Sequence, residues 1–472
     1  MKRTTTYKLI IASVAAALGW AFTPSASAQS ADALINKLVQ KGILTDAEAK
    51  SLLSETTQTN LPPSSKWTIS DAIKGVQLFG DVRFRYEYRG ADNAPGTGST
   101  KDDYFRERFR YAVRIGIKGD LFDNFYYGLR LETSTNPRSP WVTFGDDSNP
   151  TPSDKHSDGI GIGQAYLGWR PTDWFEMTVG KMPMPLYVTP MIWDSDINPE
   201  GAVEKFKLSV GNVDLFANFG QFLYQDSNPD TAFPSSDTFL LAWQLGGKVN
   251  LAKGVDLKVA PVLYNYTGVG SSAGLNQAFV GEGNNGINVN TVPQYNQNGI
   301  NDLLILEVPG EVNFKVAKYN ARVFGDFGYN FYGDDRARAA AAAAGPTVLP
   351  HAYTGENKAY QAGVGFGNLG LVYGTTSKKN TWEARAYWQH VEQYAADVNL
   401  LDSDFFEGRA NLEGVYTAFA YSFTDGIIGT IRYGYANRIN KDLGTGGNNL
   451  DMPILNPVKQ YHLLQLDVTW RF

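Results

Sequence analysis

Apolar and polar residues alternate along most of this chain. In the final stretch, QLDVTWRF, Leu464, Leu466, Val468, Trp470 and Phe472 point one way, and Gln465, Asp467, Thr469 and Arg471 the other. Period-two alternation marks a strand with one apolar and one polar face. In VQLFGDVRFRYEY, Leu78, Val82, Phe84, Tyr86 and Tyr88 oppose Gln77, Asp81, Arg83, Arg85 and Glu87. In FRERFRYAVRIGIK, Phe109, Tyr111, Val113, Ile115 and Ile117 oppose Arg106, Arg108, Arg110, Arg114 and Lys118. Sixteen such segments are predicted, starting near residues 75, 104, 125, 160, 175, 202, 213, 238, 255, 303, 321, 357, 381, 408, 427 and 460. Glycines blur the phase most in AYQAGVGFGNLGLVYG.

The connections alternate in length. GDLFDN, RPTDW, GN, AKG and TDG are tight, whereas long Gly/Asn/Asp/Pro-rich loops are predicted near 89–103, 135–159, 184–201, 225–237, 268–302, 333–356, 395–407 and 440–459. That is the pattern of a transmembrane barrel with one loop-bearing and one turn-bearing side. In lipid every backbone amide must be paired, so a sheet spans only when closed. The fold expected is all-β, a 16-stranded antiparallel transmembrane β-barrel with a short N-terminal periplasmic helical segment. A secreted sandwich also has short alternating strands, but its apolar faces would have to meet.

The first residues name the compartment. MKRTTTYK carries Lys2, Arg3 and Lys8 without an acid, an apolar run follows, and Ala26-Ser27-Ala28 is an A-x-A cleavage site. This reads as a secretory signal peptide over 1–28, too short for a membrane anchor. Its removal takes the formal charge from −6 to −9, which argues against nucleic-acid binding. There is no Cys, so no disulfide framework and no thiolate metal site. An even strand count puts both termini on the turn side, in the periplasm of a Gram-negative-type cell. Trp470 and Phe472 then face lipid near the periplasmic interface, and the terminal strand edge is a handle for barrel-assembly machinery.

Residues 29–66 precede the barrel, which is expected over 67–472. ADALINKLVQKGILTDAEAKSLLSET has apolar residues at helical spacing, and Thr45-Asp46-Ala47-Glu48 is a capping box, so two short helices are predicted. NLPPSS, residues 60–65, is a stiff linker. The helices pack on themselves or the barrel, or serve oligomerisation.

The stretch QAYLGWRPTDWFEMTVGKMPMPLYVTPMIWDSDINPEG, residues 164–201, resembles the bacterial putative-porin family. The matching motifs are Gly180-Lys181-Met182-Pro183 with Pro185, and Trp193-Asp194-Ser195-Asp196 before Gly201. The run Arg106, Arg108, Arg110 and the KGILTDAEA segment are similar to that family's second strand and N-terminal helical segment. More distantly the chain resembles phosphate-selective and general trimeric porins. The resemblance implies a passive outer-membrane channel, a homotrimer, and an inward-folded third long loop. No dense lysine ladder argues for phosphate.

Enzymatic readings find little support. His156, His351, His390 and His462 form no H-x-x-x-H or H-E-x-x-H arrangement, and no G-x-S-x-G is present. The acids of loops 146–158 and 225–230 lack complete EF-hand spacing. The alanine tract 339–344 is a loop insertion or a short helix. No catalytic residue, cofactor or metal is assigned. Charge is more informative: Arg83, Arg85, Arg106, Arg108, Arg110, Arg114 and Arg130 point inward on three neighbouring strands, only partly offset by Asp81, Glu87 and Glu132. This basic wall either sets ion preference or is neutralised to stiffen the barrel, and both can hold.

The expected function is an outer-membrane porin passing small hydrophilic solutes and ions by diffusion, embedded in outer-membrane lipid. The rivals are a barrel used as surface adhesin or anchor, and an outer-membrane hydrolase. The segment 184–201 is unusually apolar for a loop facing water, with Leu186, Tyr187, Val188, Met191, Ile192 and Trp193. It is expected to fold inward and form the constriction, presenting Asp194, Asp196 and Glu200 across the pore from the arginines; the alternative is that its apolar half covers a subunit interface.

Overall fold

A computed structural model describes residues 72–93, 103–134, 139–145, 159–225, 238–267, 303–344, 346, 350–445 and 457–472, with residues 40, 41, 45 and 70 singly. The signal peptide, the helical preface with most of its capping box, His156 and the acids of 146–158 lie outside the described residues. The chain divides into two units, Met1–Ser70 and Asp71–Phe472. In the second, the strands form one closed antiparallel sheet.

The strands are β1 (Gln77–Asn93), β2 (Asp103–Asp120), β3 (Phe125–Thr133), β4 (Ile160–Thr172), β5 (Phe175–Lys181), β6 (Glu200–Val210), β7 (Val213–Gln225) and β8 (Thr238–Ala252). Next, β9 comprises Val255–Val259 and Val262–Tyr266, and β10 comprises Leu304–Glu307 and Gly310–Val316. Then follow β11 (Tyr319–Asn330), β12 (Lys358–Gly367), β13 (Thr381–Val391), β14 (Leu412–Ser422), β15 (Ile427–Arg438) and β16 (Val458–Arg471). The two interrupted strands break beside Pro261 and Pro309, which have no N–H for the ladder. A two-residue strand, Val142–Thr143, adds to β2. The wall therefore has the sixteen staves that the alternation predicts.

Closure is direct. β1 pairs with β16 from Asp81↔Arg471 to Asp92↔Gln460. Phe472 adds a final rung, its amide donating to the Gly80 carbonyl at 3.2 Å and its carbonyl accepting from the Gly80 amide at 3.0 Å. Its ring lies over Gly80, where an added Cβ would sit 2.7 Å from ring Cζ. Large apolar side chains stay exposed on the outer face, among them Phe84, Phe109, Ile115, Leu131, Val364, Val415, Ile431 and Trp470. In a membrane that face meets lipid rather than water.

Two segments depart from expectation. The glycine-blurred stretch leaves the wall at Gly367, whose φ is +110°, and where an added Cβ would lie 2.3 Å from the Trp382 carbonyl oxygen. Residues 368–380 form a turn-side connection instead of more strand, with Leu371 and Val372 buried. The strand expected near 408 starts at Leu412, because 408–411 belong to the preceding loop. The alanine tract is helical: α1 spans Gly333–Ala344 and buries Ala337 and Ala340 against Tyr394 and Leu443.

Candidate functional site

The register brings odd-numbered residues of β1 and even-numbered residues of β2 into the lumen. There the expected basic wall becomes a network of ion pairs. Glu87 is fully buried at its centre. It faces Arg89 Nε at 3.1 Å, Arg110 Nη1 at 3.6 Å and Arg85 Nη1 at 3.7 Å, and accepts from Arg108. Asp467 of β16 accepts from Arg85 Nε at 2.8 Å and also from Arg432 of β15. Asp404, from the loop after β13, takes Arg85 Nη1 at 2.7 Å. Asp81 pairs with Arg83 at 2.6 Å and Arg114 at 3.1 Å, and Arg130 with Glu132 at 2.8 Å. Arg106 is half-buried farther up β2. The Trp141 ring covers the Arg85 guanidinium, 4.0 Å from its centroid.

Loop 182–199 crosses the lumen. Met191, Ile192 and Trp193 are buried, and Trp193 stacks on Tyr264 of β9 with centroids 6.4 Å apart. The Tyr187 amide and carbonyl bond the Gln244 side chain of β8 at 2.9 and 2.8 Å. The Thr189 amide donates to Glu307 of β10 at 3.1 Å, and its hydroxyl to Asp326 of β11. Asp196 reaches back to Arg114 of β2 at 3.2 Å. The loop thus touches opposite parts of the wall.

The three acids of this segment separate. Asp196 joins the arginine network. Asp194 is turned to a second loop, accepting from the Ser403 amide at 3.0 Å and hydroxyl at 2.8 Å. Glu200 is not in the lumen: it begins β6, opposite Lys181, on the outward parity of the strand, and bonds that lysine at 3.0 Å with its own side chain 61% exposed.

The second loop, 392–411, contains the long connection predicted near 395–407. It folds in as well. Ala395, Val398, Leu401, Phe405, Phe406 and Ala410 are buried, and Phe405 packs on Tyr387 and Tyr416 of the wall. The Asp194 amide donates to the Leu400 carbonyl at 2.6 Å, and the Asp402 amide to the Pro190 carbonyl at 3.3 Å. The two loops are one packed body.

Their acids have different environments. Burial pushes the Asp402 carboxyl well above the usual range, and neighbouring Asp194 and Asp404 add to it. Asp404 is half-buried, and Arg85, Arg89 and Arg432 overcome the cost of its desolvation and hold it down at about 2. Burial raises Asp196 against the pull of Arg114.

Further pairs continue around the wall: Glu176 with Lys205 at 3.2 Å, Lys248 with Asp256 at 3.6 Å and Glu311 with Arg322 at 3.3 Å. Two histidines sit away from them. His390 lies on the outer face of β13, 3.0 Å from Glu413, and His462 on that of β16, 3.3 Å from the Tyr433 hydroxyl. Among the described residues, no three His, Asp or Glu are placed to hold a metal. The lumen offers paired charge, aromatic rings and inward loops, an arrangement suited to guiding solutes.

The family described as Putative porin matches residues 90–325 and 302–472. The chain belongs to this family. Its barrel and membership make it an outer-membrane porin for passive diffusion, and they point to a channel rather than an enzyme. Solved structures similar to it include a porin of Rhodopseudomonas blastica carrying E1M and two tryptophan substitutions, at 11% identity over 84% of this chain and all of that one, with a TM-score of 0.38. OmpF of Salmonella typhi in complex with daunomycin is similar at 10% identity over 86% of this chain and 99% of that one, TM-score 0.44. No curated protein matches.

Sequence reasoning missed Arg89, Asp404, Arg432 and Trp141. Arg89 continues the inward parity of Arg83, Arg85 and Glu87, but it falls in the loop predicted at 89–103, whereas β1 runs to Asn93. Asp467 was on the polar face, and closure alone places it beside β1. Asp404 was findable by the test applied to 184–201: Leu400, Leu401, Phe405 and Phe406 are too apolar for a loop in water.

Proposed function

We propose that loops 182–199 and 392–411 together form the constriction of this porin, and that small hydrophilic solutes pass beside their joined body. The observation that carries this is the bond set from Asp194 to Leu400 and Ser403, which ties the loops to each other inside the wall. Arg114 and Asp196 lie at its edge and supply opposed charge at close range, which orients dipolar solutes. Paired rather than excess charge favours weak ion preference. The porin works as a homotrimer with both termini in the periplasm, and Trp470 and Phe472 are read by barrel-assembly machinery. Single-channel recording in planar bilayers tests the reading. Openings in groups of three, each smaller than an unobstructed sixteen-strand barrel would pass, are expected. A protein giving no conductance contradicts it.

A further inference from the structure

We propose that the turn 368–380, between β12 and β13, is a further inward element of the channel: it fills one side of the lumen from the turn end and sets the Tyr373 ring against the solute path. The inference rests on the channel reading above and adds a residue that limits flow.

The turn is an exception in length. The other six turns at this end comprise two to four residues each, whereas this one runs from Asn368 to Asn380. The strands beside it are hollowed to receive it. On β12 Val364 faces outward, so Gly363, Gly365 and Gly367 carry the lumenal parity. The lumenal face of β14 adds Ala418 and Ala420, in register with Arg385 and Glu383 of β13. A Cβ on Gly365 would stand 3.2 Å from Leu369 Cδ2, so that leucine occupies the space a side chain of the wall would otherwise take. Leu371 and Val372 are buried in one apolar cluster with Ala418 and Ala420. The glycines that blur the alternation in this stretch are thus the seat of the turn.

Hydrogen bonds fix its depth. The Val372 amide donates to Glu383 Oε2 at 2.9 Å, and its carbonyl accepts from Arg432 Nη2 at 3.0 Å. Glu383 and Arg432 stand on the lumenal faces of β13 and β15, so this one residue bridges across β14 from inside and leaves neither backbone group unpaired. Farther along, Ser377 Oγ donates to the Asp425 carbonyl at 2.6 Å and the Lys379 amide to the Asp425 carboxylate at 2.8 Å, which ties the turn to its neighbour. Tyr387 and Tyr416 stack with centroids 4.7 Å apart, and both carry Phe405 of the infolded loop. Leu371 and Val372 share a cluster with this aromatic layer. Turn and loop therefore approach it from opposite ends, and the lumen in front of β13 and β14 is closed to flow.

Tyr373 stands at the open edge of this filling. The Arg385 guanidinium lies 4.5 Å from the Tyr373 ring centroid and 4.7 Å from that of Phe324 on β11. Such contacts fix the ring against the cation. Arg385 and Phe324 are lumenal and lie well inside the turn-side ends of their strands, Thr381 and Tyr319. The Tyr373 ring is therefore within the barrel, yet the residue is 40% exposed. The surface it exposes there faces the lumen that remains open, where solutes leave or enter at the turn end.

The chain has no cysteine, so a single thiol reports one position. Tyr373→Cys and the control Lys253→Cys, on the exposed two-residue turn after β8, are recorded as single channels in planar bilayers while 2-sulfonatoethyl methanethiosulfonate is added to both chambers. Heat-modifiable gel mobility selects the folded variants, and the mass of the treated protein confirms the adduct. Modification at 373 is expected to lower the current in steps that a reducing agent reverses, and modification at 253 to leave it unchanged. Tyr373→Ala should raise the current and Tyr373→Trp lower it, and this pair decides alone if the cysteine variant does not fold. A thiol at 373 that stays unreactive in the conducting channel, an adduct there that leaves the current unmoved, an equal loss at 253, or equal currents in the alanine and tryptophan variants overturns the proposal. The unmodified protein separates the causes. If it conducts while position 373 is silent, this turn alone is rejected. If it does not conduct, the channel reading falls and the proposal with it.

Discussion

The Asp194 carboxylate accepts two hydrogen bonds from Ser403, one from the amide and one from the hydroxyl, and so fastens two loops that are 209 residues apart in sequence. Hydrogen bonds to a charged group are worth about 1.5–3 kcal/mol each. Asp194→Ala is expected to loosen the joined body without unfolding the barrel, because the wall pairing does not involve it. Single-channel current should rise and become noisier, with Ser403→Ala in the same direction and smaller. Unchanged current in both would show that the joined loops do not limit flow.

Glu87 is the common partner of four arginines. Glu87→Gln keeps the shape and removes the charge, leaving buried cations facing one another. Removing one partner of a buried pair costs about 3–5 kcal/mol. The variant should unfold at a clearly lower temperature in detergent. A melting point equal to that of the unmodified barrel would mean that the other carboxylates carry the network.

The sequence made the wall legible because lipid on one side and a polar lumen on the other force period-two alternation, and each strand reports it independently. Its breaks at Pro261 and Pro309 are local chemistry that the pattern passes over. What alternation cannot encode is where loops go. Leu186 to Trp193 betray one inward loop by being apolar, and Leu400 to Phe406 carry the same mark within the long loop predicted near 395–407. Ion pairing was the least legible feature. Arg85 finds Asp404 and Asp467, which are 319 and 382 residues away, and only barrel closure and the infolded loop bring them together.

Asp402 and Asp404 give the joined loops opposite pH responses. The folded pKa of Asp402 is raised, so its contribution is fully present below the ordinary aspartate value of about 3.9 and is lost as pH rises through the folded value. Asp404 is depressed, so its contribution is present above about 3.9 and disappears only as pH falls through about 2. Of the two, only the Asp402 contribution changes above pH 4, and the melting temperature should decline as pH rises through its folded value. Asp402→Asn should flatten that decline. A slope equal to the unmodified protein's would assign it to other groups.

Phe472 combines an outward ring with a backbone rung to Gly80. A charge on the lipid face near the interface costs only about 0–1 kcal/mol. Phe472→Asp should nevertheless lower outer-membrane levels severely, through lost recognition during insertion, while channels that do insert conduct normally. Normal levels of the variant would remove that reading of the terminus.

Ion preference should respond to Arg114 and Asp196, which meet at the edge of the infolded loop, more than to Arg108 and Arg110. Arg114 is shared between Asp81 and Asp196 at the edge of the infolded loop. Asp196→Asn removes one of its carboxylates and should move the reversal potential in a salt gradient toward anions. Arg114→Gln leaves both carboxylates and should move it toward cations. Arg108 and Arg110 are drawn to Glu87, and the Arg110 Nη2 donates to the Trp141 carbonyl. Arg108→Gln with Arg110→Gln therefore disturbs a buried pairing more than it changes exposed charge, and should lower stability with a smaller shift in potential. Asp194→Asn should also shift little, since its charge is spent on Ser403. Fixed charge acts on permeating ions only where it faces the path. If Arg114→Gln and Asp196→Asn leave the reversal potential unmoved while the Arg108/Arg110 double variant shifts it, the path runs along the Glu87 cluster and not beside the loop edge.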